Sequence, residues 1–248
     1  MQAKNLCFYL SDHGFGHIAR NIPLIAEAVR RIDAYVYVVC GKRHLEFAKA
    51  NLLELLTPEQ FSRIRYRAEH TDIGLILQQG TLLVDTAALT DACEQYLAEL
   101  PKRAKREAEW LHQQEIAAAL CDMPLWSISA CEQAGVPMLY VGNFTWTELY
   151  REFLPEHIRK AYAAEYRKIR YGMLYALHNP EMLEFLSQAE LSEASLVARP
   201  FHPDEIQVIR AHHTCPIVFV ALGMSAQFTQ PVSVEGVEAH FYVTEGVP

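Results

Sequence analysis

Short apolar runs alternate along the chain with longer segments in which apolar residues recur every three or four positions. Short runs are typical of buried strands, and the longer spacing is typical of helices with one buried face. The strand candidates are residues 5–10, 34–40, 64–68, 116–121, 138–141, 173–177 and 195–199. Strands that alternate with helices predict an α/β fold, with a Rossmann-like parallel sheet of about seven strands and helices on both faces.

The predicted helices differ in what their polar residues suggest. The first carries its apolar positions on one face: Ile18, Ile22, Ile25, Ala26, Val29 and Ile32. A second is predicted over residues 90–114, where we interpret the basic cluster 102–106 as a solvated face. A third is predicted over 159–175, where basic residues alternate with four tyrosines. It could contact a membrane or an anionic acceptor, but we favour packing of the tyrosines beneath a cleft because the chain is acidic overall.

The last part of the chain departs from this pattern. An apolar run at 217–223 ends in glycine, and another strand is predicted over 237–243. Two strands without helices cannot cover the faces of their own sheet. We therefore expect residues 1–213 to form one domain and residues 214–248 to begin a second α/β domain whose remainder is absent from this sequence.

Composition and charge exclude several classes of protein. Of the 248 residues, 51% are hydrophobic and 21% are charged, which is typical of a soluble globular protein. The 30 acidic and 22 basic residues give a net charge of −8, which disfavours nucleic acid and anionic membranes as partners. The six cysteines form no CxxC pair, so we expect free thiols and no metal site. Without a secretory leader or a run of about 18 apolar residues, we predict a cytoplasmic protein.

The candidate chemistry begins in the turn after the first strand, Ser11-Asp12-His13-Gly14-Phe15-Gly16-His17. Gly14 and Gly16 would let the backbone approach a ligand and adopt positive φ. With Ala19 they also fit a GxGxxA dinucleotide fingerprint, which would indicate a nicotinamide or flavin enzyme. That fingerprint needs a carboxylate at the end of the second strand to bind ribose, and Val39-Cys40-Gly41-Lys42 has none. We therefore expect no cofactor.

Histidines on both sides of these glycines suggest acid–base chemistry. His17 falls at the start of a helix, where the positive end of the helix dipole favours a neutral imidazole that can accept a proton. Asp122 follows a predicted strand, so it should lie at the same edge of the sheet and orient the imidazole. The alternatives are that His13 and His17 only fill the turn, and that Asp122 caps the helix that begins near Pro124.

Four segments of the chain carry a likeness to a known family. They are His13-Gly14-Phe15-Gly16-His17-Ile18-Ala19-Arg20, Cys121-Asp122-Met123-Pro124, Ala134-Gly135-Val136-Pro137 and residues 142–150. Together they resemble the GT-B glycosyltransferases, and within them the branch with an HGFGHxxR turn that is also seen in the N-terminal region of plant L-arabinokinases. The resemblance implies the acceptor-side domain of a GT-B fold, with His17 as general base and Asp122 as its orienting partner.

The resemblance also implies a set of substrate-binding residues. They are His13, Gly14, Phe15, Gly16, Arg20, Asn143, Trp146, Gly223 and Ser225. Asn143 and Trp146 would line the acceptor cleft, although core packing is the more common role of a lone tryptophan. Arg20 stands where many GT-B turns have proline, and it would face a phosphate or a carboxylate. Gly223 and Ser225 resemble the loop that contacts donor phosphates in relatives.

The leading hypothesis is a glycosyltransferase, or its acceptor-binding half. It would move a sugar from a nucleotide-diphosphate donor to a hydroxyl of a small-molecule or glycan acceptor. Because little of a donor domain is present, we expect this chain to be inactive by itself. The alternative is a non-catalytic sugar- or nucleotide-binding regulatory module, which would bind the same ligands without turnover.

Overall fold

Seven strands form one parallel sheet in the structure, a computed structural model that describes residues 4–221 and 234–243. They are β1 Asn5–Leu10, β2 Val36–Cys40, β3 Ile64–Ala68, β4 Ile116–Asp122, β5 Met138–Gly142, β6 Tyr171–Tyr175 and β7 Glu190–Ala194. Their order across the sheet is β3-β2-β1-β4-β5-β6-β7, and each neighbouring pair is parallel. The predicted α/β class and seven-stranded parallel sheet are therefore confirmed.

Helices cover both faces of this sheet. In the first unit of the chain they are α1 Phe15–Arg31, α2 Lys42–Leu55, α3 Pro58–Phe61, α4 Thr86–Gln113, α5 Leu125–Ala134, α6 Trp146–Leu149, α7 Glu156–Tyr166 and α8 Met182–Phe185. A further helix, α9 Pro203–Ala211, belongs to the second unit described below. Successive side chains of a strand point to opposite faces. Phe8 and Leu10 of β1 accordingly join a buried cluster with α1 and α2. Tyr9 points the other way, and its ring centroid lies 5.2 Å from that of Trp126 on α5.

The buried face of α1 continues into polar residues at its N-terminal end. The predicted apolar positions Ile18, Ile22, Ile25, Ala26 and Val29 are fully buried. On the same face, His17 and Asn21 are also buried. Polar side chains are buried in proteins only when they are hydrogen-bonded, so these two must have partners on the sheet.

The seventh strand lies earlier in the chain than the sequence predicts. The prediction for residues 195–199 is wrong, because the strand is β7, Glu190–Ala194. This strand is at the edge of the sheet, and its residues are exposed or half-buried. An exposed edge strand of this kind has no alternation of apolar and polar residues from which it could be predicted. The apolar run at 196–198 has the pattern of a buried strand, which explains the wrong prediction.

The predicted helix over 159–175 is wrong beyond Tyr166, where α7 ends. Residues 171–175 form β6 instead, two positions before the strand expected at 173–177. Gly172 allows β6 and β7 to approach closely, since a Cβ at this position would lie 2.7 Å from Leu191 Cδ2. The tyrosines on α7, Tyr162 and Tyr166, are buried.

The chain divides into two compact units. The first consists of residues 1–74 and 86–199, and the second of residues 75–85 and 200–248. In the second unit, β8 Ile217–Val220 and β9 His240–Val243 form a parallel pair. A domain boundary at 213/214 and a donor-binding role for the second part stay predictions. The proposed donor residues Gly223 and Ser225 lie outside the described residues.

All six cysteines are free thiols, and five of them are buried. Burial raises the pKa of Cys7 and Cys121 above the usual thiol range, which favours packing over nucleophilic roles.

Within residues 4–221 and 234–243, no helix combines the length and the apolar character needed to cross a membrane.

We predict that Ile25→Ala on α1 lowers the free energy of unfolding by about 2–5 kcal/mol, because it leaves a cavity in the core. Ile25 is fully buried, whereas Leu53 on α2 is 59% exposed. Leu53→Ala should therefore change the free energy of unfolding by less than about 0.5 kcal/mol. Denaturant unfolding followed by circular dichroism measures both values, and equal losses would contradict this account of the core.

Candidate active site

The candidate site lies where four neighbouring strands end. The turn at 11–14 leaves β1, Asp122 ends β4, Asn143 follows β5, and Tyr175 ends β6. In the sheet β1 lies beside β4, β4 beside β5 and β5 beside β6. The carboxyl ends of parallel strands share one edge, which is where α/β sheets bind their ligands.

The two glycines of the turn have different roles. Gly14 is the N-cap of α1 and has φ +73°, a conformation that costs free energy for any other residue. Gly16 does not have positive φ, contrary to expectation, and a Cβ there would meet no atom within 4 Å. Gly14 therefore shapes the turn, while Gly16 leaves open space beside the start of α1.

His17 and Asp122 form the hydrogen-bonded pair that the sequence predicts. His17 Nδ1 lies 2.8 Å from Asp122 Oδ1, and the side chains are 7% and 0% exposed. Burial by itself raises the pKa of Asp122, but the charges of His17 and Arg20 and their hydrogen bonds outweigh it and lower the pKa to about 2. Asp122 is therefore ionised at neutral pH.

The ionised carboxylate decides which nitrogen of His17 carries the proton. A carboxylate is only an acceptor, so the imidazole must donate from Nδ1 to Asp122. Nε2 is then left with a free lone pair. In this tautomer His17 can take a proton at Nε2 from a substrate hydroxyl, while Asp122 stabilises the charge that forms.

Asp122 has two further partners on α1. Arg20 donates from Nη2 to Oδ1 at 2.5 Å and from Nε to Oδ2 at 2.8 Å. Asn21 donates from Nδ2 to Oδ2 at 2.6 Å. Arg20 also donates from Nη1 to Asn143 Oδ1 at 2.6 Å. The expected anionic partner of Arg20 is thus a carboxylate of the protein itself.

An aromatic layer lies beside the pair. The ring of Phe144 meets the rings of His17 and Trp146 edge-on, with centroid distances of 5.6 and 5.8 Å. His13 meets Trp146 in the same way at 5.4 Å. Trp146 itself is 1% exposed, so it lies behind His13 and Phe144 and does not form the surface of a cleft. Phe15 packs against α2, where its ring stacks on His44 at 4.7 Å.

A second buried carboxyl supports this layer. Asp72 accepts a hydrogen bond from the indole N–H of Trp146 at 2.8 Å and one from the backbone N–H of Asp12 at 3.2 Å. Burial, and next the negative charge of Asp12, raise the pKa of Asp72 to about 6. Asp72 therefore changes its ionisation close to neutral pH.

Several residues of the site escape sequence reasoning. Asn21 has a recognisable signal, because it is a polar residue four positions after His17 on the apolar face of α1. Asp72 has none, since its partners Asp12 and Trp146 are distant in sequence. Phe144 lies within the segment 142–150, but its contact with His17 cannot be read from the sequence. Gly74 is equally hidden: a Cβ there would lie 1.7 Å from Nδ1 of His13, so only glycine allows His13 its position.

A separate cavity lies at the opposite edge of the sheet, where β5 and β6 begin. It has a volume of about 330 Å³. Its lining includes Ile128, Glu132, Met138, Lys168, Arg170 and Tyr171. It contains neither His17 nor Asp122, so it is not part of the candidate site.

Comparison with known proteins supports the fold. No family model matches the chain. It is 30% identical over 158 residues, 61% of its length, to the L-arabinokinase of Arabidopsis thaliana, and it covers 14% of that protein. The structure is similar to UGT89C1 of Arabidopsis thaliana solved with UDP-L-rhamnose, with a TM-score of 0.56 and 12% identity over 98% of this chain and 69% of that one.

Two other solved structures give the same result. UGT73P12 of Glycyrrhiza uralensis has a TM-score of 0.52 and 11% identity over 92% of this chain and 58% of that one. The calicheamicin glycosyltransferase CalG4 has a TM-score of 0.50 and 14% identity over 93% of this chain and 60% of that one. This chain has a GT-B glycosyltransferase-like fold. It spans a small part of the curated relative and less than two thirds of UGT73P12 and CalG4.

We predict that Asp72 makes the stability of the GT-B-like domain depend on pH. Its folded pKa is raised from 3.8 to about 6, so the protonated form contributes stability that is full below pH 4 and lost as the pH rises through 6. Relative to Asp72→Asn, the wild-type free energy of unfolding should therefore fall by about 1–3 kcal/mol between pH 4 and pH 7.

Urea unfolding of both proteins at a series of pH values measures this difference. The control is Asp33→Asn, because the Asp33 side chain is fully exposed to solvent. It should follow the wild type throughout. A difference between wild type and Asp72→Asn that does not change with pH would show that Asp72 keeps the same charge over this range.

Proposed function

We propose that this chain is the acceptor-binding half of a GT-B glycosyltransferase, with His17 as the general base. The observation that carries the proposal is the 2.8 Å hydrogen bond between His17 Nδ1 and Asp122 Oδ1 at the carboxyl edge of the sheet. It leaves Nε2 as the proton acceptor in a largely buried site. Such a base is worth about 10²–10⁴ in rate.

The reaction would be a displacement at the sugar. The acceptor oxygen forms a bond to the anomeric carbon of the donor while the bond from that carbon to the nucleotide diphosphate breaks. The acceptor proton passes to Nε2 of His17, and Asp122 holds the imidazolium that results. Phe144 contacts the ring of His17, His13 lies in the same turn, and Asn143 is bonded to Arg20, so we take these three residues as the candidate contacts of the acceptor.

The solved structures with this fold support the choice of substrates. UGT89C1 was solved with UDP-L-rhamnose, with UDP and with quercetin. These ligands correspond to a nucleotide-sugar donor, its product and a small-molecule acceptor with hydroxyl groups. We extend the same classes of ligand to this chain, with the donor held mainly by a second domain.

A second candidate is a sugar-binding module without turnover. It is favoured by the extent of the matches, because the chain corresponds to 14% of a protein whose name describes a kinase for L-arabinose. In this role the turn at 11–17 and Asn143 would recognise a sugar, and Nε2 of His17 would accept a hydrogen bond from a sugar hydroxyl. L-Arabinose is then the first ligand to test.

We predict that His17→Ala lowers glycosyl transfer by at least about 10²-fold, because the proton acceptor is lost. Release of nucleotide diphosphate from a panel of UDP-sugars, with and without quercetin-like acceptors, measures transfer by this chain together with its second domain. The matched control is His157→Ala on α7, since the His157 side chain is 69% exposed and pairs with Glu94. The control should keep full activity.

The two candidates give different results in a parallel binding experiment. Ligand-induced changes in melting temperature are recorded with UDP-sugars and with L-arabinose. Stabilisation by a sugar without any transfer, and unchanged by the presence of acceptor, would favour the binding module. Transfer that survives His17→Ala would exclude His17 as the base.

A further inference from the structure

The carboxylate of Asp122 is shared between an imidazole and a guanidinium. His17 Nδ1 and Arg20 Nη2 both donate to Oδ1, at 2.8 and 2.5 Å, and the two nitrogens lie 3.0 Å apart. Arg20 Nε and Asn21 Nδ2 donate to Oδ2. Two donors therefore hold each oxygen, and the carboxylate cannot rotate without losing hydrogen bonds.

Arg20 is held by several groups of the protein. Its side chain is 16% exposed, and its three nitrogens contact Asp122 and Asn143. Its guanidinium carbon also lies 5.1 Å from the centre of the Tyr175 ring. Arg20 thus connects α1 to the ends of β4, β5 and β6.

The charges around His17 come from several elements. Asp122 on β4 and Arg20 on α1 are in direct contact with it. His13 in the turn, His44 on α2 and Asp72 after β3 act at longer range. The charges of Arg20 and Asp122 cancel, so a proton on His17 leaves the group of three with a net positive charge. Arg20 therefore opposes the same proton uptake that Asp122 favours.

We propose that Arg20 is a positioning residue for the His17–Asp122 pair: it fixes both carboxylate oxygens, ties Asn143 to them, and opposes protonation of His17 through its own charge. The proposal rests on the proposed role of His17 as the base. The positive charge of Arg20 beside the ring favours the neutral imidazole, which is the form that can accept a proton. The low pKa of Asp122, about 2, agrees with a carboxylate that is held by His17 and by the guanidinium of Arg20.

The test measures the titration of His17 directly, by NMR of the chain labelled with ¹³C and ¹⁵N histidine. The His17 signal is assigned by its absence in His17→Gln. In Arg20→Gln the midpoint of the His17 titration should rise by about one pH unit, which is a tenfold change in proton affinity. In Arg20→Lys, which keeps the positive charge, this midpoint should rise less. The matched control is Arg151→Gln, because Arg151 is half-exposed and pairs with Glu181.

A midpoint in Arg20→Gln that stays in place or falls would overturn the proposal. If Arg20→Gln does not fold, the midpoint of the His17 titration is compared between Asp122→Asn and the double variant Arg20→Gln/Asp122→Asn. The first keeps the charge of Arg20, whereas the second has neither charge and so buries no unpaired one. The midpoint of the double variant should be the higher by about one pH unit. Equal midpoints would again overturn the proposal.

These titrations need no substrate, so their outcome is separate from that of the transferase proposal. Where transfer is measurable, the loss of kcat/KM at low pH should begin at higher pH in Arg20→Gln than in the wild type. A purely structural arginine would lower activity without moving that limb of the pH profile. The titration result stands even if no transfer is found.

Discussion

The buried carboxylate of Asp122 is the constraint on which the rest of the site depends. A fully buried charge is very unfavourable unless hydrogen bonds and opposite charges surround it. Here four donors from His17, Arg20 and Asn21 do so, and all three residues belong to the first two turns of α1. The helix can satisfy the carboxylate in only one rotation about its axis, so the ion pair and the packing of α1 support each other.

The sheet explains why this carboxylate and the turn come together. Leu10 at the end of β1 pairs in register with Asp122 at the end of β4, and the N–H of Ser11 donates to the Asp122 carbonyl at 2.9 Å. The turn therefore leaves β1 beside Asp122, and Gly14 bends the chain into α1 above it. Adjacent strands β5 and β6 then bring Asn143 and Tyr175 to Arg20. The pairing of neighbouring strands therefore determines which residues of the site lie close together.

Fold and chemistry rest on different observations in this protein. The GT-B-like fold is shared with solved proteins that are only 11–14% identical to the chain, and a shared fold is compatible with many reactions. The proposed chemistry depends instead on the tautomer of His17 and on the hydrogen bonds of Asp122. Arg20 completes this arrangement, because its hydrogen bonds fix the orientation of the carboxylate and its positive charge lies beside the imidazole of His17.

Much of this architecture is determined by the sequence itself. The spacing of Ile18, Ile22 and Ile25 predicts α1, the apolar runs predict six of the seven strands of the sheet to within two residues at each end, and His17 and Asp122 are recognisable from the turn and the strand they follow. Periodicity is a local property, so it can be seen without the fold. The exposed edge strand β7 lacks an apolar periodicity, so the sequence predicts its position wrongly. Only the tertiary structure decided that Arg20 binds Asp122, that Trp146 lies behind His13, and that the pKa of Asp72 is raised. Each depends on partners 60 to 133 residues away or on burial that no local pattern encodes.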